Sequence, residues 1–513
     1  METSKPAWIL LQNGLGLIVG FLTMVLILRD AGFHTWGLFS AALSFGLVFS
    51  FVSDLGINTA HVRMIAAGKD RNEYNNALIF MKVLLTLVYV GVIFLAVFIW
   101  TRVFHQAFES PLVYLSLLLL IPYFVGLPYI QANRAFFTGT QEAFKMSFPP
   151  IMESITRFIA VFVLIHMNVF HFPSSSSGLY QMALLISISY SISYAVYAIL
   201  SFVVGMPWNF RMPKLETIKS YLKYSYPLIG VAFTTAVAAN LAQILVFFAY
   251  GADQSAGFAT DYRYILMITG FTMSVTILIL PILTSLHVAN GDYGKTMGQT
   301  VKYLTVLVTP LTAFIAVLAA PVLNLLSSAA IPYSFAFQIM LVGSWFWTMS
   351  IPFWTHFNAV EKTKISGTLN TLAYTLFIVL DIVLIPRSLA DFRFAGLGVN
   401  GAAYSYLFSG IVLFIGSAVA LMREVKIPIT YKALKGSVMA ILLGLLYYLF
   451  LHSLLRLPLL VLIGLLLLYV VAYIGLLLAS KTISREELVE ILNMVNFKKL
   501  FKYAVEELKN KSQ

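Results

Sequence analysis

The sequence predicts an all-α integral membrane protein with about fourteen transmembrane helices. Hydrophobic residues make up 60% of the 513 residues and charged residues only 11%, whereas about a quarter of the residues in soluble domains are charged. Two segments recur later in the chain: Gly37-Leu38-Phe39-Ser40 as Gly257-Phe258-Ala259-Thr260, and Lys82-Val83-Leu84-Leu85 as Lys302-Tyr303-Leu304-Thr305. The composition predicts the class, and the recurrence predicts an internal repeat.

The individual spans follow from the length of the apolar runs, because a membrane-crossing helix needs about 20 mostly apolar residues. The predicted spans are 7–28, 36–58, 77–100, 111–130, 146–166, 179–205, 225–250, 256–286, 302–326, 335–358, 364–386, 397–422, 431–451 and 458–479. The repeat offset covers six spans, so we expect two six-helix lobes and two extra C-terminal helices. The expected segments are 1–205, 206–424, 425–480 for spans 13 and 14, and a tail from 481 to 513.

Basic residues set the expected orientation. With the N-terminus inside, most of the 33 basic residues fall on the cytoplasmic side, which is the bias that fixes topology. We therefore expect both termini in the cytoplasm of a multi-pass cell-membrane protein. Ser484 and Glu487 have capping-box spacing, and the basic, apolar-striped tail that follows has two interpretations: a helix lying on the inner leaflet, or a solvated basic helix.

Several function classes lack sequence support. The chain has no cysteine, and Gly291-Asp292-Tyr293-Gly294-Lys295-Thr296 has too few residues between its glycines for a nucleotide-binding P-loop. His166 and His171 have no third ligand nearby in the sequence, so no metal site is expected. No catalytic motif is present, and the net charge of +12 is explained by topology rather than by nucleic acid. We expect neither an enzyme nor a cofactor.

Charged residues within or beside the spans are the candidate functional residues, because charge in the bilayer is costly and usually functional. Arg29 and Asp30 close span 1, and either anchor it at the outer interface or contact a ligand. Arg63, at the inner end of span 2, is either a topology determinant or a ligand contact. The lone acid Asp381 in span 11 is either an ion-coupling group or a helix-end acid in water.

Two further sites contrast with each other. Glu153 and Arg157 have the i, i+4 spacing of an intrahelical ion pair, whereas Asp261 and Arg263 are two residues apart and point to different helix faces. Arg263 is therefore expected to face a substrate, and the alternative is an interfacial arginine that extends its guanidinium group to water. The candidate substrate-binding residues are Arg29, Arg63, Arg157, Arg263 and Lys302, and the candidate ion-coupling residues are Asp30, Asp261 and Asp381. So many embedded cations favour an anionic ligand such as pyrophosphate, which matches the fork of arginine.

A series of short motifs in order carries a family resemblance. They are WGLFS at 36–40, DLGINTA at 54–60, GFATDYR at 257–263 with Pro281 after it, NAVEKTK at 358–364, LIP at 384–386 and GVNGAAYS at 398–405. In this order they resemble the polysaccharide-transporter branch, which includes Wzx-type flippases, of the multidrug/oligosaccharidyl-lipid/polysaccharide (MOP) flippase superfamily. The chain differs from common members at Glu361, where glycine is usual, and at Asp381, where asparagine is frequent.

The resemblance implies a MATE-like fold of two six-helix lobes, and a function of moving a polyprenyl- or dolichyl-pyrophosphate-linked oligosaccharide to the outer leaflet. By likeness to lipid II flippases of the superfamily, it implies that Arg29, Arg63 and Arg263 contact the pyrophosphate. Because the chain has no nucleotide-binding motif, the expected driving force is the membrane potential, a proton or sodium gradient, or consumption of the product on the far side. Contact with membrane lipids is also expected. The alternatives are a cation-coupled multidrug exporter of the same fold, or a membrane glycosyltransferase or polymerase acting on the same lipid-linked sugars.

Overall fold

The computed structural model of the chain is dominated by long helices. It describes residues 4–103, 105, 108–140, 142–170, 176–204, 212–266, 269–270, 293–360, 362–389, 392–424, 431–451 and 457–488. Helices of the first half are α1 Ser4–Leu26, α2 Phe33–Leu47, α3 Ile57–Ala66, α4 Arg71–Phe98, α5 Pro111–Leu119, α6 Ile121–Thr140, α7 Ala143–Val161, α8 Ser176–Val203, α9 Leu215–Ser225 and α10 Ile229–Tyr250.

The second half begins with α11 over residues 252–266. It continues with α12 Tyr293–Val317, α13 Ala319–Leu326, α14 Ser334–Ala359, α15 Thr363–Leu384, α16 Val399–Glu424, α17 Tyr431–Leu451 and α18 Leu459–Ala479. Two short strands, β1 Ser388–Leu389 and β2 Phe392–Arg393, pair antiparallel between α15 and α16.

The predicted fold class is confirmed. Among the described residues, 11 helices are long and apolar enough to cross a membrane, and counting each bent helix pair as one span gives 13. Each of these coincides with one predicted span. The remaining predicted span, 256–286, lies largely outside the described residues, so fourteen is an approximate count.

The chain divides into two compact units. One comprises Met1–Ala259 with Asp381–Gly398, and the other comprises Thr260–Leu380 with Val399–Gln513. The first unit thus contains α10, which the sequence analysis assigned to the C-terminal lobe. The division into lobes at 205 and 206 stays a prediction.

The second predicted span is bent by 43° between α2 and α3. A tight turn at Ser50–Ser53 interrupts the helix, and Leu55 (φ 48°) and Gly56 (φ 80°) then adopt left-handed backbone conformations. Glycine favours this conformation because it has no Cβ. The Asp54 carboxylate accepts a hydrogen bond from the Asn58 backbone N–H at 3.1 Å, in the manner of a helix cap. The Asp54-Leu55-Gly56 motif is therefore a helix break and restart.

The fourth predicted span is bent by 42° between α5 and α6. Pro122 is the second residue of α6. Proline has no N–H to donate, and its ring disfavours helical conformation in the residue before it. The bend therefore falls where the sequence places a proline.

The last two helices pack on α12 in the second unit. Val306, Ala440, Tyr473, Leu477 and Ile483 form one buried cluster there. The hydroxyl groups of Tyr469 and Tyr473 donate to the carbonyls of Ala440 and Gly436 at 2.8 and 3.3 Å. Each buried hydroxyl has a partner, which removes much of the cost of placing it in an apolar interior.

Candidate functional site

The C-terminal part of the second span contacts α9 through a series of buried hydrogen bonds. Tyr221 donates to the Tyr74 carbonyl at 3.0 Å, and its oxygen lies 2.6 Å from His61 Nδ1. Burial raises the pKa of Tyr221, so its phenol keeps its proton. Since Tyr221 has one proton and gives it to Tyr74, His61 Nδ1 is the donor to Tyr221. These hydrogen bonds hold α9 against α3 and α4.

Arg63 is one of the predicted substrate residues and lies beside these hydrogen bonds. Its guanidinium donates from Nη1 to the Tyr224 hydroxyl at 3.0 Å, and its Cζ lies 4.7 Å from the centre of the Tyr224 ring. The Arg63 side chain is exposed. An exposed arginine whose direction is set by an aromatic neighbour is well suited to meet an anion.

Lys82 lies near the break in the second span. Only 4% of its side chain is exposed. Its ammonium group donates to the Ser53 carbonyl at 2.9 Å and lies 3.3 Å from Asp54 Oδ1. A buried charge needs such partners because hydration is lost.

The first and fifth predicted spans both end in a π-helical turn, at Ile27–Ala31 and Phe162–His166. Arg29 is exposed in the first of these turns. Asp30, a predicted ion-coupling residue, lies 2.8 Å from His166 Nδ1. The sequence analysis found no acidic partner for His166, because Asp30 belongs to a distant span.

A tight junction joins α2 to the start of α11. Gly251 (φ 85°) immediately precedes α11, as Gly32 (φ 90°) precedes α2. A Cβ on Gly37 would lie 1.9 Å from the carbonyl oxygen of Ala252, so only glycine fits there. The Ser255 hydroxyl donates to the Gly37 carbonyl at 3.3 Å. The WGLFS motif thus supplies a close helix contact.

The fifth predicted span holds the expected intrahelical ion pair. Arg157 Nη1 lies 3.1 Å from Glu153 Oε1, which also accepts from the Ser193 hydroxyl at 3.0 Å. The Arg157 guanidinium lies 5.1 Å from the centre of the Tyr190 ring. The pair is confirmed, and Arg157 uses part of its hydrogen-bonding capacity within its own helix.

The acids and the arginine of α11 and α15 differ in exposure. Asp261 and Asp381 are fully buried, and Arg263 is half-buried. Burial of Asp381 contradicts the interpretation of a helix-end acid in water. Both carboxylate oxygens of Asp261 lack a hydrogen-bond partner among the described residues.

Lys302 is also buried, with 5% of its side chain exposed, and lies 2.7 Å from Glu487 Oε1 in the tail. The Glu487 side chain accepts from the Ser484 N–H at 2.9 Å, and the Glu487 N–H donates to the Ser484 hydroxyl at 3.1 Å. The predicted capping box is therefore confirmed. Lys302 contacts the tail, and its predicted substrate contact stays a prediction.

The first unit therefore holds Arg29, Asp30, Arg63, Arg157 and Asp381, and the second holds Asp261, Arg263 and Lys302. Arg29 and Arg63 lie at opposite ends of the first two predicted spans, so the first unit does not gather them at one point. Sequence reasoning missed Tyr221, Tyr224 and His61, for which aromatic residues on an amphipathic segment were the only signal.

Comparison with known proteins decides the family. A family model described as polysaccharide biosynthesis protein matches residues 3–287, more than half of the chain. The chain belongs to this family. No curated protein matches the sequence significantly.

Solved structures of this fold show the same architecture. The lipid II flippase MurJ, in an inward closed conformation, has a TM-score of 0.69 at 15% identity, covering 92% of this chain and 97% of the other. An inward-facing MATE multidrug resistance transporter has a TM-score of 0.61 at 13% identity over 79% and 95%. A MOP superfamily transporter from Pyrococcus furiosus, with a binding pocket of reverse polarity, has a TM-score of 0.56 at 14% identity over 82% of this chain and 94% of the other. The predicted fold is confirmed, and the family match agrees with the predicted resemblance to polysaccharide transporters.

Proposed function

We propose that the chain is a flippase that moves a polyprenyl- or dolichyl-pyrophosphate-linked oligosaccharide from the cytoplasmic to the outer leaflet by alternating access. The product serves surface polysaccharide or glycoprotein glycan synthesis. Membership of a polysaccharide biosynthesis family and a flippase-like fold support this function. A pyrophosphate headgroup has a high cost of transfer into hydrocarbon, so a protein path with cationic side chains removes the main barrier.

The exposure and orientation of Arg63 are the observation that supports an anionic substrate. It is an exposed arginine at the inner end of a bent span, with its guanidinium oriented by Tyr224. A planar guanidinium binds phosphate oxygens in bidentate fashion. Arg29 and Arg263 are proposed to contact the same headgroup at other stages of transport. Arg157 and Lys302 are secondary candidates because each has an acidic partner.

The driving force is proposed to be a proton or sodium gradient. Asp261 and Asp381 are fully buried acids, and a buried carboxylate gains stability when it takes up a proton or a cation. Asp30 is the third candidate. We place the protein in the plasma or inner membrane with both termini in the cytoplasm, following the distribution of its basic residues.

The second candidate function is a cation-coupled multidrug exporter. The buried acids favour it, because an acidic site attracts cationic compounds, and a MATE transporter shares the fold. The exposed arginines Arg29 and Arg63 favour the anionic substrate instead. The two functions therefore differ in the charge of the molecule that is moved.

Reconstitution tests the proposal. Purified protein is placed in liposomes with a labelled polyprenyl-pyrophosphate oligosaccharide on one leaflet, and its arrival on the other leaflet is followed under proton and sodium gradients. Wild-type protein is expected to accelerate movement. Arg63→Ala is expected to raise the apparent KM about tenfold or more, since a charge-assisted bond contributes about 1.5–3 kcal/mol.

Arg102→Ala is the matched control, because Arg102 is an exposed arginine at the end of another span. It is expected to leave transport unchanged. Absence of movement for the lipid-linked sugar, together with gradient-dependent movement of a cationic drug, would favour the exporter. If Arg29→Ala, Arg63→Ala and Arg263→Ala all transport the lipid-linked sugar at the wild-type rate, the cationic path is removed from the mechanism.

A further inference from the structure

Tyr224 contacts Arg63 in two ways, through its hydroxyl and through the face of its ring. We propose that Tyr224 is a positioning residue that presents Arg63 to the anionic headgroup at the cytoplasmic surface of the membrane. This inference rests on the proposed flippase function and deepens it. It assigns the alignment of the first cationic contact to a residue of α9, a helix outside the spans.

The two contacts fix the direction of the Arg63 guanidinium group. The Tyr224 hydroxyl oxygen accepts one hydrogen bond from Nη1 at 3.0 Å, and Nη1 is one of the three guanidinium nitrogens. The ring at 4.7 Å supports the guanidinium face. Two contacts of different kinds define a plane and an angle for a side chain that otherwise has many rotamers. Ordering it in advance lowers the entropy lost when the headgroup binds.

Tyr224 itself is held in place by buried contacts of α9. Tyr221, one turn earlier, is fully buried in a cluster with Ile57, Ala77 and Met81. The Glu73 carboxylate accepts from the Lys214 backbone N–H at 2.9 Å and from the Thr217 hydroxyl at 3.0 Å. These bonds fix the start of α9 to α4. Any movement of α3 relative to α9 would therefore alter the orientation of Arg63.

The exposed side of α9 indicates where this contact lies. Leu215 and Leu222 of α9 are 64% and 53% exposed, and Met212 and Tyr226, which lie just before and just after the helix, are 86% and 78% exposed. Lys214, Lys219 and Lys223 are exposed beside them. Exposed apolar residues next to lysines are typical of a helix lying at a membrane surface with anionic lipids. Arg63 is thus aligned at headgroup level.

The test separates positioning from folding by kinetics. Transport of the labelled lipid-linked sugar is measured for Tyr224→Phe, which keeps the ring, and Tyr224→Ala, which removes it. We expect the apparent KM to rise about threefold to fivefold for phenylalanine and about tenfold or more for alanine, with the maximal rate unchanged. Tyr226→Phe is the matched control and is expected to match wild type.

The same substitutions are then made in Arg63→Ala protein. If Tyr224 acts through Arg63, they are expected to change the KM no further. If the Tyr224 substitutions raise the apparent KM equally with and without Arg63, the inference is overturned in favour of a structural role. A fall in maximal rate that parallels a fall in thermal stability would overturn it in the same way. Wild-type protein that moves no lipid-linked sugar would overturn the proposed function, whereas transporting wild type with an unaffected Tyr224→Ala variant would overturn this inference alone.

Discussion

Lys82 and Asp54 form an ion pair at the break in the second span, with 3.3 Å between Nζ and Oδ1. The lysine also donates to the carbonyl of the residue before Asp54. The acid has two functions there, because it accepts from the backbone where α3 begins. The pair therefore joins α4 to the bend itself, and the bend does not depend on glycine alone.

Asp54→Asn is expected to lower stability by about 3 kcal/mol, because it leaves a buried ammonium group without its counter-charge. Asparagine caps helices as well as aspartate does, so the substitution isolates the charge. Thermal unfolding in detergent measures the change. Lys82→Met combined with Asp54→Asn should recover most of the loss. Lys145→Met removes the half-exposed Glu142 pair and should cost under about 1 kcal/mol.

Gly37→Ala tests the close contact between α2 and α11. Its Cβ would meet a backbone carbonyl at 1.9 Å, and backbone cannot yield as a side chain can. We expect a loss of about 2 kcal/mol or more and reduced transport. Gly91→Ala is the matched control within α4, where nothing lies within 4 Å of the new Cβ. It should be neutral or stabilising by up to about 1 kcal/mol. Equal melting temperatures for both variants would contradict the steric argument.

Asp261→Asn tests ion coupling. The asparagine keeps the size of the side chain but can neither bind a proton nor offer a negative charge. Transport by the variant is expected to lose its response to an imposed proton or sodium gradient while retaining slow, gradient-independent exchange. Asp253→Asn is the control, since this acid lies on the same helix with 67% of its side chain exposed. A full gradient response in Asp261→Asn would exclude this residue from coupling.

Arg157 and Glu153 are tested as a pair. Glu153→Gln alone leaves a buried guanidinium short of charge and is expected to cost about 3 kcal/mol. Glu153→Gln with Arg157→Met should regain most of the melting temperature. Transport of the double variant then shows whether Arg157 also contacts substrate. We expect its apparent KM to stay raised about threefold or more, and a return to the wild-type value would remove Arg157 from the substrate residues.

The spacing of residues in the sequence predicted the features that depend on near neighbours in the chain. Runs of apolar residues located thirteen spans, because membrane thickness sets helix length. The Glu153 and Arg157 pair and the Ser484 and Glu487 box followed from spacings of four and three residues on one helix. The ion pair and the capping box each join residues about one helical turn apart.

The missed relationships join residues distant in the sequence. Asp30 contacts His166, Arg63 contacts Tyr224, and Lys82 pairs with Asp54. A single sequence shows which charges are costly in a membrane, but their partners depend on tertiary packing. The motifs found by resemblance marked these regions without revealing their hydrogen bonds.

Lys82 and Lys302 occupy equivalent positions of the sequence repeat and are both buried. Their acidic partners, however, lie at positions that are not equivalent in the repeat. The residue equivalent to Asp54 in the second copy is Ser274, and Glu487 of the tail pairs with Lys302 instead. The first turn of the tail is therefore part of the membrane domain. A C-terminal truncation or fusion placed before residue 488 would strand the Lys302 ammonium group, so expression tags belong beyond it.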